Sequence, residues 1–523
     1  MEKMFYGCQK LNSIEIPKFI YTNELNMKYM FQDCSNLISL DLNNFESNYI
    51  KTIDYMFYGC SKLESLSLKG TIKPYSEISM ISSFENCVNL ISLDLVFTSG
   101  TISNMSRIFC ECNSLKYLKL SENDDSTHYI NIVKDMPFSF YNNYKIITID
   151  ISSYDLSNIK YLNSMFYGCK SLKVLKLFNS FLTTTSLKRM DSMFENCESL
   201  TSLNLSCFDT QSVTTMNSLF KNCKSLISID LTHFNTLNVD NMSSMFESCL
   251  SLKSITINPD IYDTNKVTNM ENMFKNCRTL IDINVSKFDT NSVTNMRSMF
   301  ENCEMLSSLN ISNFKTPNTK DMYKMFSNCK LINILDTSGF SLNAVTNVIS
   351  MFENCQALKS TIILKAFNSP YVTDTSYMFY NCKNLENVTL INNKNLSVNN
   401  LSFMFYECSK LQVLEMFSSS YDGYIDMNSM LYNCNNLKKL DLSDNKITIK
   451  SSNMNKTFYN CYSLKQLTLP KMINASNVDE LFYNCTSLLN LRFSTFIVSS
   501  NTNISYMFYN CYSLKELILG NFD

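Results

Sequence analysis

The sequence predicts an α/β solenoid: a right-handed superhelix with a parallel sheet of short strands on one face and short helices on the other. Three observations predict it. From Cys8, Cys34 and Cys60 through to Cys485 and Cys511, most cysteines recur at a gap of 26 residues and nearly all gaps lie between 24 and 28, the mark of a repeat array. Before each cysteine, apolar residues follow helical spacing. After it, they alternate.

The unit Val293–Ser312, "VTNMRSMFENCEMLSSLNIS", shows each element in order. Thr294 or Asn295, with Thr268, Asn269 and Asn241 as counterparts, are good N-caps for a first turn. Met296, Met299, Phe300 and Cys303 then follow i, i+3, i+4, i+7, which puts four side chains on one helix face. The residue before the cysteine is Asn or Gly in most units, as at Asn302, Asn328 and Gly59. Both tolerate positive φ, so a left-handed residue is expected to end the helix, with Glu111, Ser248 and Glu407 as slightly strained departures. Beyond the turn, Leu306, Leu309 and Ile311 end in the period-2 pattern of a strand, and a strand returning one repeat later implies parallel pairing. The wide gap between Cys112 and Cys169 hides a degenerate copy in which Met136, Phe140, Ile146, Ile149 and Ile151 hold the expected places and Asn143 replaces the cysteine. The array then has about twenty units.

The cysteines read as small apolar groups at a tight corner. They form a column without neighbouring histidines, which suits no converging metal site, and a ladder of disulfides could close only alternate rungs. Cys110 and Cys207 are off-phase. With 523 residues, 45% apolar and 18% charged, the chain can bury a large core, and its interspersed charges, net −2, set up no general field for nucleic acid or anionic lipid. No apolar run reaches the roughly 18 residues a membrane helix needs.

At this point the unit resembles the BspA-type leucine-rich repeats of bacterial and protist surface proteins, on "MFENCESLTSLNLSCFDTQSVTTM" (193–216) and "MFKNCRTLIDINVSKFDTNSVTNM" (273–296), over essentially the whole chain. The resemblance implies a leucine-rich-repeat-like solenoid displayed at a cell surface or outside the cell, binding protein or glycan macromolecules, with no catalytic residues to carry over. "MEKMFYGCQK" is not the opening of a secretory signal, and both ends fall inside a unit. The expectation is therefore a fragment, or an array covered at its ends, with an intracellular interaction scaffold as the rival.

No enzyme is expected. His128 and His233 are the only histidines, without a recurring carboxylate or nucleophile beside them, and no phosphate-binding glycine loop or cofactor motif appears. Asn-x-Ser/Thr triplets such as Asn204-Leu205-Ser206 follow from the repeat wording. One elongated domain over 1–523 is expected to offer three surfaces. The first is the polar outer strip of the sheet, including Ser228, Asp230, Thr256, Asp282, Asn284 and Asn310. The second is the outward side of the expected helices, two residues before each cysteine, where Glu195, Lys221, Glu247, Lys275 and Glu301 alternate in sign. Farther on, Tyr380, Tyr406, Tyr432, Tyr459, Tyr483 and Tyr509 stand in file, either stacking on one another or docking a partner, a glycan or another solenoid. The third is an irregular insertion, 121–137, whose Glu122, Asp124 and Asp125 lack the spacing of a calcium loop.

Overall fold

The computed structural model describes residues 1–520 apart from 17–18, 22, 43–44, 48–49, 69–76, 96–99, 121–130, 178–183, 366–369, 392–397, 417–420, 443–446, 470–471 and 499–501. The chain forms two compact units, Met1–Asp263 and Thr264–Asp523. Each is a parallel β-solenoid, and the described residues contain no helix. The expected α/β architecture is thus corrected: the face assigned to helices is built from turns.

The turns explain the helical spacing. In the coil that holds Phe300, the N–H groups of Met299, Glu301 and Cys303 donate to the carbonyls of Met296, Ser298 and Phe300, three residues back. The intervening N–H groups of Met296, Ser298, Phe300 and Asn302 donate instead to Asp321, Tyr323, Met325 and Ser327 of the next coil. Two residues per corner take positive φ, Ser298 at 54° and Asn302 at 61°, which no right-handed helix accommodates. A helix is about 10 Å across, twice the roughly 4.8 Å between strands, so one helix per coil would splay the sheet it backs. A train of turns is as thin as a strand, and its spare donors tie coil to coil.

The left-handed residue before the cysteine is found as expected, including Glu111, Ser248 and Glu407 at 61°, 61° and 63°. The second one, four residues earlier, was not foreseen. The expected N-caps have another role too. Asn295 bridges Asn269 and Asp321 in neighbouring coils, and its Oδ1 accepts the N–H of Arg297 at 3.0 Å, a side-chain turn cap with no helix behind it.

Each coil therefore contributes to two extended strips. In the first unit the strip following the cysteine corner includes Ser65–Ser67, Ser92–Asp94 and Tyr117–Lys119, then Thr148–Asp150 paired with Val174–Lys176. The strip preceding the turns is a six-stranded parallel sheet from Leu25–Asn26 to Tyr154–Asp155. Asn131–Val133 lies within that sheet, so part of the expected insertion is a regular strand; 121–130, with Glu122, Asp124, Asp125 and His128, lies outside the described residues. In the second unit Lys439–Asp441, Gln466–Thr468, Asn490–Arg492 and Glu516–Ile518 form the first strip, and Tyr421–Asp426, Ile447–Asn453, Met472–Asn477 and Thr495–Val498 the second.

Side chains fill the interior as ladders. Phenylalanine rings stack between coils, Phe31 on Phe57 at 5.5 Å in the first unit and Phe300 on Phe326 at 5.7 Å in the second. Burying each ring contributes about 1.5–3 kcal/mol. The cysteines are buried and unbridged except for exposed Cys8 and half-exposed Cys511, and they do more than fill space. Cys303 Sγ donates to the carbonyl of Phe274 in the coil before, at 3.1 Å, and Cys60 does the same to Phe31 at 3.1 Å. In the degenerate unit Asn143 Nδ2 takes over the bond, to Phe109 at 2.8 Å. Beside this column runs an amide ladder: Asn302 Nδ2 donates to Asn276 Oδ1 at 2.7 Å and Asn328 Nδ2 to Asn302 Oδ1 at 2.8 Å. Buried threonines form another, with Thr290 and Thr316 hydroxyls donating to Lys315 and Ser341 carbonyls at 2.7 and 2.8 Å.

Candidate recognition surface

The strip after the cysteine corner turns alternate residues outward because its backbone is extended. Ser228 and Asp230 are exposed and register with Ser254 and Thr256. Asp282, Asn284 and Asn310 in the second unit are exposed as well. Part of their polarity serves the chain itself. Asp230 Oδ1 accepts the N–H of Thr232 at 2.9 Å, and Asn284 and Asn310 do likewise for Ser286 and Ser312 at 3.2 Å. Those hydrogen bonds from Thr232 hold the Asp230 carboxyl below its ordinary range, with exposed His233 adding a smaller charge effect.

The strip's groove lies elsewhere, in the first unit. A depression of about 700 Å³ is lined by Ser39, Asp41, Ser65, Ser67, Ser92 and Asp94, and continues to Lys116, Tyr117, Lys119, Thr148 and Asp150. None of these residues was among the sequence candidates. All but Lys116, which sits one residue earlier, at the position of Ile227, occupy the same outward phase as Ser228 and Asp230, so alternation marked the face but not which coils form a concavity. Tyr117 breaks the run of short side chains and is 69% exposed.

The six tyrosines are brought together. Tyr380, Tyr406, Tyr432, Tyr459, Tyr483 and Tyr509 stack in sequence with centroids 5.0, 4.5, 4.6, 4.7 and 4.7 Å apart and interplanar angles of 15° or less. Their faces cover one another, which leaves all but Tyr509 half-buried. Burial first, then neighbouring acidic groups and phenols, raises the Tyr406 and Tyr432 hydroxyls above the ordinary range. In the alternating column, Lys221 pairs with Glu247 at 3.0 Å and Lys275 with Glu301 at 2.9 Å.

Chemistry has little foothold here. Burial pushes the column thiols upward, Cys355 to about 12, far from a reactive thiolate. Among the described residues no three His, Cys, Asp or Glu side chains are grouped to hold a metal ion, and no helix is long and apolar enough to cross a membrane. The described residues form a repeat scaffold.

Comparison with known proteins places it. The family model described as "Mycoplasma protein of unknown function, DUF285" matches residues 1–92, 78–181, 179–258, 251–364, 332–445 and 360–469. The chain belongs to this DUF285 family. The BspA type leucine-rich repeat region matches residues 427–522 alone, so the resemblance read from the sequence holds there, while DUF285 covers the rest. No curated protein gives a significant match. Among solved structures, this DUF285 chain is similar to a leucine-rich repeat protein from Bacteroides ovatus, 17% identical over 90% of this chain and 88% of that one, TM-score 0.34. A leucine rich cell surface protein from Faecalibacterium prausnitzii is 16% identical over 86% and 84%, TM-score 0.30. At these values the likenesses carry no argument about the DUF285 chain's partner or site.

Proposed function

We propose that the chain is a cell-surface recognition or adhesion protein that binds a protein or glycan through the outer face of its extended strips. The observation that carries the reading is the groove from Ser39 to Asp150: a concave run of hydroxyls, carboxylates and lysines around one exposed ring, where many weak contacts add up along a large partner. The interior is filled with stacked rings and closed ladders, so recognition falls to the exterior.

Beads coated with the protein test it, scored for adhesion to cultured animal cells and to immobilised matrix proteins. Wild-type beads should adhere, and S67R/S92R beads, with the groove blocked, should lose most of that adhesion while melting at the same temperature. Adhesion unchanged by the block, or absent throughout, overturns the reading. A second reading, an intracellular scaffold, is favoured by one observation: the described cysteines are all unbridged, as suits a reducing compartment. Surface labelling of intact source cells with an antibody to the protein separates the two.

A further inference from the structure

The groove is not uniform along its length. At one end, Lys116, Tyr117, Lys119, Thr148 and Asp150 line the groove, and exposed Ile147, Val174, Lys173 and Lys176 extend the same repeat positions beside it, making three rows across three successive coils. One outer row is Lys116, Ile147, Lys173; the middle row is Tyr117, Thr148, Val174; the other outer row is Lys119, Asp150, Lys176. Register fixes two of the three coils, since Thr148 faces Val174 and Asp150 faces Lys176 and the Lys173 N–H donates to the carbonyl of Ile147 at 2.9 Å; Lys116, Tyr117 and Lys119 join the rows by their place in the repeat, four, five and seven residues after Cys112 as Ile147, Thr148 and Asp150 are after Asn143. Exposed Lys145 precedes Ile147 by two residues.

The charges are unevenly matched. Lys176 meets Asp150 at 2.9 Å, while Lys116, Lys119, Lys145 and Lys173 are exposed and form no ion pair among the described residues. One coil earlier, Ser92 faces Tyr117 and Asp94 faces Lys119. Asp94 lines the groove and is half-exposed, so its carboxylate offers an acceptor to a ligand hydroxyl.

We infer that this end of the groove binds an acidic oligosaccharide, one whose sugar rings carry carboxylates, and that the inference rests on the groove being the recognition surface. Lysines on both flanks receive the ring carboxylates, the exposed face of Tyr117 packs against the sugar's C–H face, and Asp94, Ser92 and Thr148 take the hydroxyls. A phosphate polymer fits less well. The positive run is short, one exposed ring offers a single stacking platform where single-stranded nucleic acid uses several, and Asp41 and Asp94 on the same groove repel a continuous line of phosphates.

The test is a titration of the full chain with four probes of defined length: a hexamer of a uronic acid, the same hexamer with its carboxyls reduced to alcohols, a neutral glucose hexamer and an oligo-thymidine. The uronate should bind at least tenfold tighter than its reduced form, and more weakly as salt rises. K116Q/K173Q and Y117S should each weaken it about tenfold, and K438Q, a lysine of the second unit, should not. Thermal melting of every variant guards against a folding defect. Equal binding of charged and neutral hexamers, tighter binding of oligo-thymidine through the same lysines, or no uronate binding at all overturns the inference. If groove-blocked beads lose adhesion while the uronate fails, the functional reading stands and only the ligand class falls; if groove substitutions leave adhesion untouched, both fall.

Discussion

Cys303 shows what the repeat asks of a single residue. Its thiol is small enough for the corner and supplies a donor to Phe274 O at 3.1 Å; a carbonyl in so apolar a site would otherwise keep one lone pair unmet. The sequence revealed the size requirement and not the donor, because the hydrogen bond joins residues a whole coil apart. Asn143 held the clue, since an amide replaces a thiol where a donor is wanted more than an apolar surface. The thiols also predict how the protein responds to base. Burial, the largest cause, holds Cys249, Cys355 and Cys461 at about 12 against an ordinary 9.0. A raised folded value means the unfolded chain loses its protons first, so this stabilisation is complete below about pH 9 and drains away between about 9 and 12. Each such thiol adds about 1.4 kcal/mol of loss per pH unit in that window. Urea midpoints should therefore change little from pH 7 to 8 and drop steeply from pH 9 to 10; a flat profile would contradict the buried, unbridged column. In the native protein a thiol reagent at neutral pH should label Cys8 first, and the column only on unfolding.

At the scale of the element, the corner was half legible. Asn or Gly before each cysteine announced a left-handed residue, and Asn302 has φ 61°. Ser298, Tyr55 and Lys324 also sit at positive φ, 54°, 56° and 52°, and nothing in their chemistry announces it; coil-to-coil hydrogen bonds impose it. Without that second left-handed residue, i, i+3, i+4, i+7 spacing cannot be told from a helix, because linked turns bring side chains back to one side at similar intervals. The strip at Val293 to Asn295 was hidden by its own polarity, which reads as a cap. Far-UV circular dichroism should accordingly show sheet and turn without the paired minima of a helix. Two substitutions separate the duties of Asn302. N302G keeps the backbone and breaks the amide ladder, at a cost of about 1–2 kcal/mol. N302A adds the strain of a left-handed alanine, about 1–2 kcal/mol more; denaturant titration of the pair checks the order. Gly168 shows the converse limit, since a Cβ there would collide with Asn142 Oδ1.

For each unit as a whole, stability is a sum over neighbouring coils, because a coil touches little beyond the one before and the one after. Removing one ring from the spine by F300A should cost about 3–5 kcal/mol and split the thermal unfolding of a single transition into two steps, as calorimetry would show. An F300L exchange should cost far less. The repeat and its buried face were legible because every coil restates them; the groove was not, because it depends on how successive outward side chains differ, and difference is what a consensus averages away. One feature of the corner reaches further. The N–H groups of Phe5, Phe31 and Phe57 all donate toward higher residue numbers, to Met30, Met56 and Ser83, while the weaker thiol bonds of Cys34, Cys60 and Cys87 to the Phe5, Phe31 and Phe57 carbonyls run the other way. Peptide units so aligned, each about 3.5 D, add along the stack into a standing voltage whose positive pole lies on the side of the later coils, whereas a helix in each coil would have directed its dipole across the stack.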